Sequence, residues 1–401
     1  MNSRERSILI STCFGHFICH FNMFFFTALV LPLALRLNMD MANVLGMSFW
    51  MYFMFGITAL PWGMAADRWN AKFLLILFYF GAGLSALAAA IWIESSTGFF
   101  VSLTLLGLFS GIYHPAGLGL ISKEIKRVGL GMGYNGMFGN LGIAMSPLLA
   151  GIFNWLWGLR VAYLIMGIMN IIGVALIFVF PLFESQNPKE AVYGEENRQT
   201  RAFLILLVAM MLAGIIYRGS TIILPAYFEL KNQEIFQWFS SLLGKGLSKN
   251  LVATSVVSFI YLIGMLGQYT GGHLAERFDP KFCYLVFISV IVPITFLMGI
   301  ARDLPLVFLA MVYFFFLLGI QPFENTLVAQ FTPKKFHHSA YGTKFVLTFG
   351  IGALSVKMVE AIETTLGIEP VFAALGVISL VLVGVIIMLV RKTRSIEPSS
   401  S

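Results

Sequence analysis

The chain has 401 residues, of which 58% are hydrophobic and 11% are charged, and its mean hydropathy is +0.86. Soluble globular domains are about 45–50% apolar and about 25% charged, so a water-soluble fold of this length could not bury this much apolar surface. The composition excludes soluble enzymes, soluble nucleic-acid-binding proteins and secreted disulfide scaffolds, and it indicates a helical membrane protein.

Twelve apolar stretches predict membrane-spanning helices, because about 20 apolar residues cross the hydrocarbon core. We number these stretches spans 1 to 12 in chain order. Span 1 is longer than the hydrophobic region of a signal peptide and no small-residue cleavage motif follows it, so we expect it to remain as an anchor. The spans run near Ile8–Leu35, Val44–Ala65, Phe73–Ile93, Phe99–Ser122, Leu130–Phe153, Val161–Phe183, Ala202–Phe228, Leu251–Leu274, Phe282–Ile300, Leu304–Phe331, Tyr341–Leu366 and Pro370–Val390.

The longest strongly polar stretch lies between spans 6 and 7 and divides the chain into halves. We therefore predict an N-terminal six-helix bundle over residues 1–183, a cytoplasmic linker over 184–201, and a C-terminal six-helix bundle with a short cytoplasmic tail over 202–401. The segment Lys231–Asn250 between spans 7 and 8 is either an amphipathic helix on the outer membrane interface or an extracellular loop.

The Lys and Arg residues set the predicted orientation. With a cytoplasmic N-terminus, most of the 26 Lys and Arg residues fall in cytoplasmic loops, in agreement with the positive-inside rule. We therefore expect a multi-pass protein of the cell inner (plasma) membrane with both termini in the cytoplasm. This arrangement accounts for the net charge of +7 without nucleic acid. The three cysteines form no Cys-x-x-Cys pair, so neither a disulfide framework nor a zinc site is expected.

Two loops repeat the same ten-residue pattern. Residues 63–72, after span 2, read GMAADRWNAK, and residues 272–281, after span 8, read GHLAERFDPK. A second, shorter similarity relates GIYHP at 111–115 in span 4 to GIQP at 319–322 in span 10. The two halves are therefore related, and repeats of this kind place a binding site at the bilayer midplane, between halves that rock against each other.

The repeated loop, present in both halves of a chain with six plus six spans, resembles the signature loop of the major facilitator superfamily. The resemblance implies an all-α membrane protein whose twelve transmembrane helices form two pseudo-symmetric six-helix bundles. Asn70 and Ala71 replace the glycine and second basic residue that are usual in that family. The loops are expected either to latch the halves through electrostatic contacts or to act only as topology signals. Their gating candidates are Gly63, Asp67, Arg68, Lys72, Gly272, Glu276 and Arg277.

Span 5 carries a more specific resemblance. Residues 133–151 are similar to the antiporter motif of drug:proton exchangers in the same superfamily, although Ser146 and Ala150 replace two of its glycines. Within this run, Gly142 and Pro147 are further gating candidates.

Three short segments resemble the fosmidomycin-resistance-like branch of the superfamily. They are GIYHP at 111–115, HFN at 20–22 and GNLG at 139–142. This resemblance implies a proton-coupled antiporter that exports small compounds.

Charges at bilayer depth are costly, by at least about 2.5–3.5 kcal/mol on insertion scales, so they usually face a cavity and a partner. Arg218 lies near the middle of span 7 and is assigned to clamping a substrate carboxylate or phosphonate, with a structural ion pair as the alternative. Lys357 and Glu360 share one face of span 11. Lys357 is assigned to substrate binding and Glu360 to proton coupling, and an intrahelical ion pair is the alternative.

Glu324 in span 10 and Lys344 in span 11 enter the bilayer from the same side. Either the two pair as an inner gate, or Glu324 is the titrating proton carrier. Gln321, one helical turn from Glu324, is a candidate for substrate binding.

His16 and His20 lie four residues apart and therefore on one face of span 1. Two histidines are too few for a metal site, so both are expected to line a polar cavity, His20 at the substrate and His16 in proton coupling. His114 precedes Pro115, whose missing N–H loosens span 4, as helix breaks do at transporter sites. The other candidates for substrate binding are Asn22, Tyr113, His114, Asn140 and Tyr217.

No Walker loop, dinucleotide-binding turn or activated nucleophile occurs, so we expect no enzymatic activity, no cofactor and no metal. The expected partners are a small-molecule substrate, protons as the coupling ion and membrane lipid, with no nucleic acid, and the chain is expected to be a monomer. Three functions remain open. They are proton-coupled export of small anionic or amphipathic compounds, proton-coupled uptake of an organic anion or metal chelate, and a non-transporting membrane receptor.

Overall fold

The computed structural model describes residues 2–66, 68–180, 182, 200–243, 246–332 and 342–394. These residues form helices and connecting turns, and no β-strand occurs among them. Eleven helices in this part of the chain are long and apolar enough to cross a membrane. They are Ser3–Ala28, Met41–Ala66, Ala71–Ile91, Ser96–Glu124, Leu130–Val179, Thr200–Lys231, Lys249–Arg277, Pro280–Met298, Asp303–Phe331, Gly342–Leu366 and Pro370–Thr393.

The helical run Leu130–Val179 holds two of the predicted spans. At 1.5 Å per residue it would measure about 75 Å, more than twice the ~30 Å thickness of the hydrocarbon core. Gly158 interrupts the run with φ 78° and ψ 171°, a backbone conformation that glycine adopts without a steric penalty. Spans 5 and 6 therefore meet at a turn without an intervening loop, and all twelve predicted spans have a counterpart in this all-α fold.

Spans 1, 2, 4 and 11 are interrupted along their length, and span 1 divides at Leu29 into Ser3–Ala28 and Val30–Leu37. Span 2 consists of Met41–Met47, Phe49–Ile57 and Ala59–Ala66. Span 4 contains a π-helical turn at His114–Leu118, and span 11 contains another at Val346–Gly350. A π turn inserts an extra residue into a helix and is frequent at functional sites. Both π turns contribute residues to the wall of one cavity.

The segment between spans 7 and 8 forms the helix Gln233–Leu243, so the helical alternative is the one observed. Its apolar side chains Trp238, Leu242 and Leu243 are exposed to 60%, 65% and 65%. An exposed apolar face of this kind is typical of a helix that lies at a membrane interface.

Spans 1 to 6 pack against one another, and so do spans 7 to 12. Among the described residues, the most extensive contacts between the two groups are span 1 with span 7, span 2 with span 11, and span 5 with span 8. The predicted linker, residues 184–201, lies outside the described residues up to position 199. The bundle boundaries at 183 and 202 therefore stay a prediction.

Glycines allow close approach of neighbouring helices, as two contacts illustrate. A Cβ at Gly56 in span 2 would lie 2.0 Å from the backbone nitrogen of Gly350 in span 11. A Cβ at Gly142 in span 5 would lie 2.3 Å from the carbonyl oxygen of Phe17 in span 1. Both neighbours are backbone atoms, which cannot rotate aside. Gly142, a gating candidate from the antiporter-like run, thus has a packing role.

We expect Gly142→Ala to destabilise the protein, because the added methyl group overlaps the Phe17 carbonyl and overpacking costs about 1–3 kcal/mol. Gly133→Ala is the matched control in the same helix, since nothing lies within 4 Å of a Cβ there. The unfolding temperature in detergent measures the effect. Gly142→Ala lowers it, whereas Gly133→Ala leaves it unchanged or raises it, because alanine favours helix. Equal unfolding temperatures for the two variants would contradict the close approach.

Candidate functional site

A cavity of about 230 Å³ lies between the two groups of helices. Its wall is built from spans 1, 4 and 5 on one side and from spans 7, 8, 10 and 11 on the other. Ligand pockets usually measure about 300–1,000 Å³, so this cavity suits a small solute. The sequence-predicted site residues that line it are His16, His20, His114, Asn140, Tyr217, Gln321, Glu324 and Lys344.

Three histidines meet on one side of the cavity. The Nε2 atoms of His16 and His20 lie 3.1 Å apart, as expected for residues on one face of span 1. The π turn of span 4 adds His114, so that one ring nitrogen from each histidine lies within 4.8 Å of the others. The sequence predicts the first two as neighbours but gives no sign that the third joins them.

Glu324 and Lys344 form an ion pair in the opposite wall. Lys344 Nζ lies 3.0 Å from Glu324 Oε2, and the two side chains are only 8% and 4% exposed. The hydroxyl of Tyr284 donates a hydrogen bond of 3.0 Å to the second carboxylate oxygen. Lys344 also donates to the side-chain oxygen of Asn325, at 2.7 Å. The predicted pair therefore exists and holds two opposite charges at the cavity wall, while its gating role stays a prediction.

A chain of amides crosses the cavity. Asn140 in span 5 donates to Gln268 in span 8, and Gln268 donates to Gln321 in span 10 at 3.1 Å. Sequence reasoning missed Gln268, although an amide within an otherwise apolar span is a signal that could have identified it. These three amides give the cavity both donors and acceptors that reach across the two groups of helices.

Arg218 does not line the cavity, although its neighbour in sequence, Tyr217, does, and the guanidinium carbon lies 5.8 Å from the Tyr217 ring centre. The side chain is 2% exposed, and its guanidinium carbon lies 3.7 Å from the ring centre of Tyr52 and 5.7 Å from that of Phe24. Its Nε and Nη1 atoms have no hydrogen-bond partner. Across the described residues, no carboxylate forms an ion pair with it. The predicted structural ion pair is thus not observed among the described residues, and the guanidinium group stacks on aromatic rings.

Two other predicted substrate residues are engaged inside the first group of helices. Asn22 and Asn170 exchange two side-chain hydrogen bonds of 3.0 and 2.9 Å. Tyr113 donates to the carbonyl of Thr12 at 2.6 Å and accepts from Asn135 at 2.7 Å. Asn22 and Tyr113 do not line the cavity. Both hold spans 1, 4, 5 and 6 together.

The predicted pair in span 11 forms but lies away from the cavity. Lys357 Nζ lies 2.7 Å from Glu360 Oε2, and the lysine side chain is 51% exposed. Lys357 also lies over the ring of Phe49, at 5.7 Å. Neither residue lines the cavity, so the intrahelical ion pair is the alternative that the structure shows.

The repeated loops follow spans 2 and 8, at the helix ends that the predicted orientation makes cytoplasmic. Arg68, Glu276 and Arg277 are exposed, and Lys72 is half-buried. Asp67 lies outside the described residues. In the part of the chain that the structure describes, no ion pair joins the two loops. Gly63 and Gly272 have open space or only a distant neighbour beside them. The electrostatic latch therefore stays a prediction.

Toward the opposite end the two groups are tied by hydrogen bonds. Pro147 interrupts the bonding pattern of span 5, and the next residue, Leu148, donates its N–H to the hydroxyl of Ser258 in span 8 at 2.9 Å. Asn250 donates to the carbonyl of Ala28 in span 1, also across the groups, at 2.8 Å. Pro147 thus lies beside a hydrogen bond that joins the two groups, while its gating role stays a prediction.

Comparison with known proteins identifies one matching family and many solved structures with a similar fold. The model of the Major Facilitator Superfamily matches residues 12–356. The chain is similar in structure to a bacterial homolog of the human lysosomal transporter Spinster, in an inward-facing and occupied conformation, with a TM-score of 0.77, 12% identity and full coverage of both chains. No curated protein matches the sequence.

Two further solved structures have the same fold. The nucleoside transporter NupG has a TM-score of 0.74 and 15% identity, over 95% of this chain and 99% of that one. The peptide transporter POT, in complex with sulfate, has a TM-score of 0.71 and 15% identity, over 96% and 95%.

Proposed function

The chain belongs to the Major Facilitator Superfamily, and we propose that it is a proton-coupled secondary transporter that moves a small anionic or amphipathic solute across the cell inner membrane. Residues 1–183 and 202–401 act as the two halves of an alternating-access machine, with both termini in the cytoplasm. Export is the leading direction, as in the fosmidomycin-resistance-like drug:proton antiporters that spans 1, 4 and 5 resemble. A non-transporting receptor is the least favoured alternative, because the structures that this chain resembles are those of transporters.

The buried guanidinium of Arg218 is the observation on which the anionic solute rests. A charge held at this depth is costly unless something compensates it, and among the described residues no carboxylate pairs with Arg218, whose guanidinium stacks on the ring of Tyr52. A carboxylate or phosphonate that enters past Tyr217 supplies the missing counter-charge. Because guanidinium offers a planar pair of donors, it can bind such a group through two hydrogen bonds.

The pair of Glu324 and Lys344 is the proposed proton-coupling element. Protonation of Glu324 removes the negative charge that holds the ammonium group of Lys344 at 3.0 Å. The ammonium group is then free to attract an anion in the same cavity. Occupation of the cavity by a solute and the protonation state of Glu324 are therefore linked.

This linkage also favours a second candidate, the proton-coupled uptake of an organic anion or metal chelate. Since protonation of Glu324 frees a cation, the proton and the anion bind together, as in symport. Export instead rests on the antiporter-like run 133–151, whose Gly142 and Leu148 form contacts with spans 1 and 8.

The direction of flux separates the two candidates. We expect the purified chain, reconstituted into proteoliposomes with an imposed pH gradient, to move one member of a panel of small phosphonates and carboxylates against the flow of protons. Movement in the same direction as the protons would establish uptake instead. Transport that is indifferent to the gradient would contradict proton coupling, and protein-free liposomes control for leakage.

A further inference from the structure

We propose that His16, His20 and His114 form a binding site for one divalent transition-metal ion at the wall of the central cavity. Sequence reasoning rejected a metal because two histidines are too few. The structure supplies a third, and three histidines that leave a coordination position open are an established ligand set for such ions. The proposal concerns metal binding only, so it stands or falls independently of the direction and coupling of transport.

The distances suit an ion of this size. Metal–nitrogen bonds of about 2.1 Å in tetrahedral geometry place two ligand nitrogens roughly 3.4 Å apart. The Nε2 atoms of His16 and His20 lie 3.1 Å apart, and a ring nitrogen of His114 completes a group within 4.8 Å. The proposal requires the His114 side chain to rotate on metal binding, so that its ring nitrogen closes the remaining gap.

Neighbouring groups orient two of the rings, as metal-binding histidines require. The Nδ1 atom of His16 lies 2.8 Å from the carbonyl oxygen of Asn135, and since a carbonyl only accepts, Nδ1 carries the proton. The lone pair of His16 therefore lies on Nε2, which faces His20. On His114, Nδ1 lies 3.8 Å from the thiol sulfur of Cys19.

The chemistry of the cluster selects the kind of ion. Imidazole nitrogens favour zinc, cobalt, nickel and copper over magnesium and calcium, which prefer oxygen ligands. The cluster itself contains no carboxylate, so a bound ion keeps its positive charge and an open position toward the cavity. Water or an anionic group of a solute can occupy that position.

Titration of the full-length chain, purified in detergent without a polyhistidine tag, tests the site with Co²⁺ as a spectroscopic probe. We expect saturable visible absorption of nitrogen-bound Co²⁺ at one ion per chain, lost on addition of Zn²⁺. His20→Gln and His114→Gln should each weaken Co²⁺ binding by at least about tenfold. His273→Gln is the matched control, because His273 is exposed and lies outside the cluster.

Two further measurements keep the test decisive. His337 and His338 lie outside the described residues, so a His337→Ala/His338→Ala variant must bind Co²⁺ like the unaltered chain. Unfolding temperatures without metal establish that each variant folds, and Zn²⁺ should raise the value for the unaltered chain but not for the cluster variants. No Co²⁺ binding by the unaltered chain, or binding that survives loss of His20 and His114, overturns the proposal. No transport is needed, so a failed flux assay and a failed titration refute different claims.

Discussion

Arg218→Leu is expected to abolish transport of the anionic solute while leaving the protein folded and at least as stable. The substitution removes two charge-assisted hydrogen bonds to the solute, each worth about 1.5–3 kcal/mol, so solute affinity falls at least about 100-fold. It also removes a buried charge that has no ion-pair partner in the described chain, and replacement of such a charge by an apolar side chain is often neutral or stabilising. Solute flux in proteoliposomes and the unfolding temperature in detergent measure the two effects.

Two further variants serve as a control and as an intermediate case between the unaltered chain and Arg218→Leu. Arg36→Leu removes an exposed arginine that pairs with Glu94 far from the cavity, and transport should be unchanged. Arg218→Lys keeps the charge but loses the planar pair of donors, so it should retain weak transport. A structural role for Arg218 would show the reverse pattern, with normal transport per folded molecule and a marked loss of stability.

Glu324→Gln is expected to destabilise the protein and to remove the dependence of transport on the pH gradient. Lys344 is then left as a buried cation without its counter-charge, and breaking a buried pair in this way costs about 3–5 kcal/mol. The amide of glutamine cannot titrate, so flux no longer follows the proton gradient. The unfolding temperature reports the loss of stability. Flux under a pH gradient, compared with flux at equal inner and outer pH, reports the loss of proton coupling.

The double variant Glu324→Gln/Lys344→Met separates stability from coupling. Because the second substitution removes the uncompensated cation, it should recover most of the stability that Glu324→Gln loses, and the two effects should be strongly non-additive. Proton coupling should stay absent. Additive losses of stability would show that the two side chains do not interact as the 3.0 Å distance indicates.

Hydropathy and the repeated loop were sufficient to predict the fold class and the twelve spans. Both features are local in the sequence, since a membrane-spanning helix satisfies its own backbone and is recognised by length and composition alone. The pairing of Lys357 with Glu360 was predictable for the same reason, because both residues lie on one helix.

The arrangement of the site depends on contacts that no local pattern encodes. His114 reaches the other histidines because a π turn in span 4 packs against span 1. Arg218 was expected in the cavity wall, but it stacks on Tyr52, which comes from the other group of helices. Gln268 joins two amides from different spans. In each case the partner is distant in sequence, so periodicity identified the residue but not its neighbours.

The crossing of spans 2 and 11 has a mechanical consequence. At Gly56 and Gly350 the two polypeptide backbones touch with no side chains between them. We expect one span to roll over the other at this point when the two groups of helices move, because no side chain there has to change its rotamer, and we expect the contact to stay closed while the ends of the helices separate. A larger side chain at Gly56 or Gly350 is therefore expected to hinder the movement of span 2 against span 11, even where the cavity and its charged residues are intact.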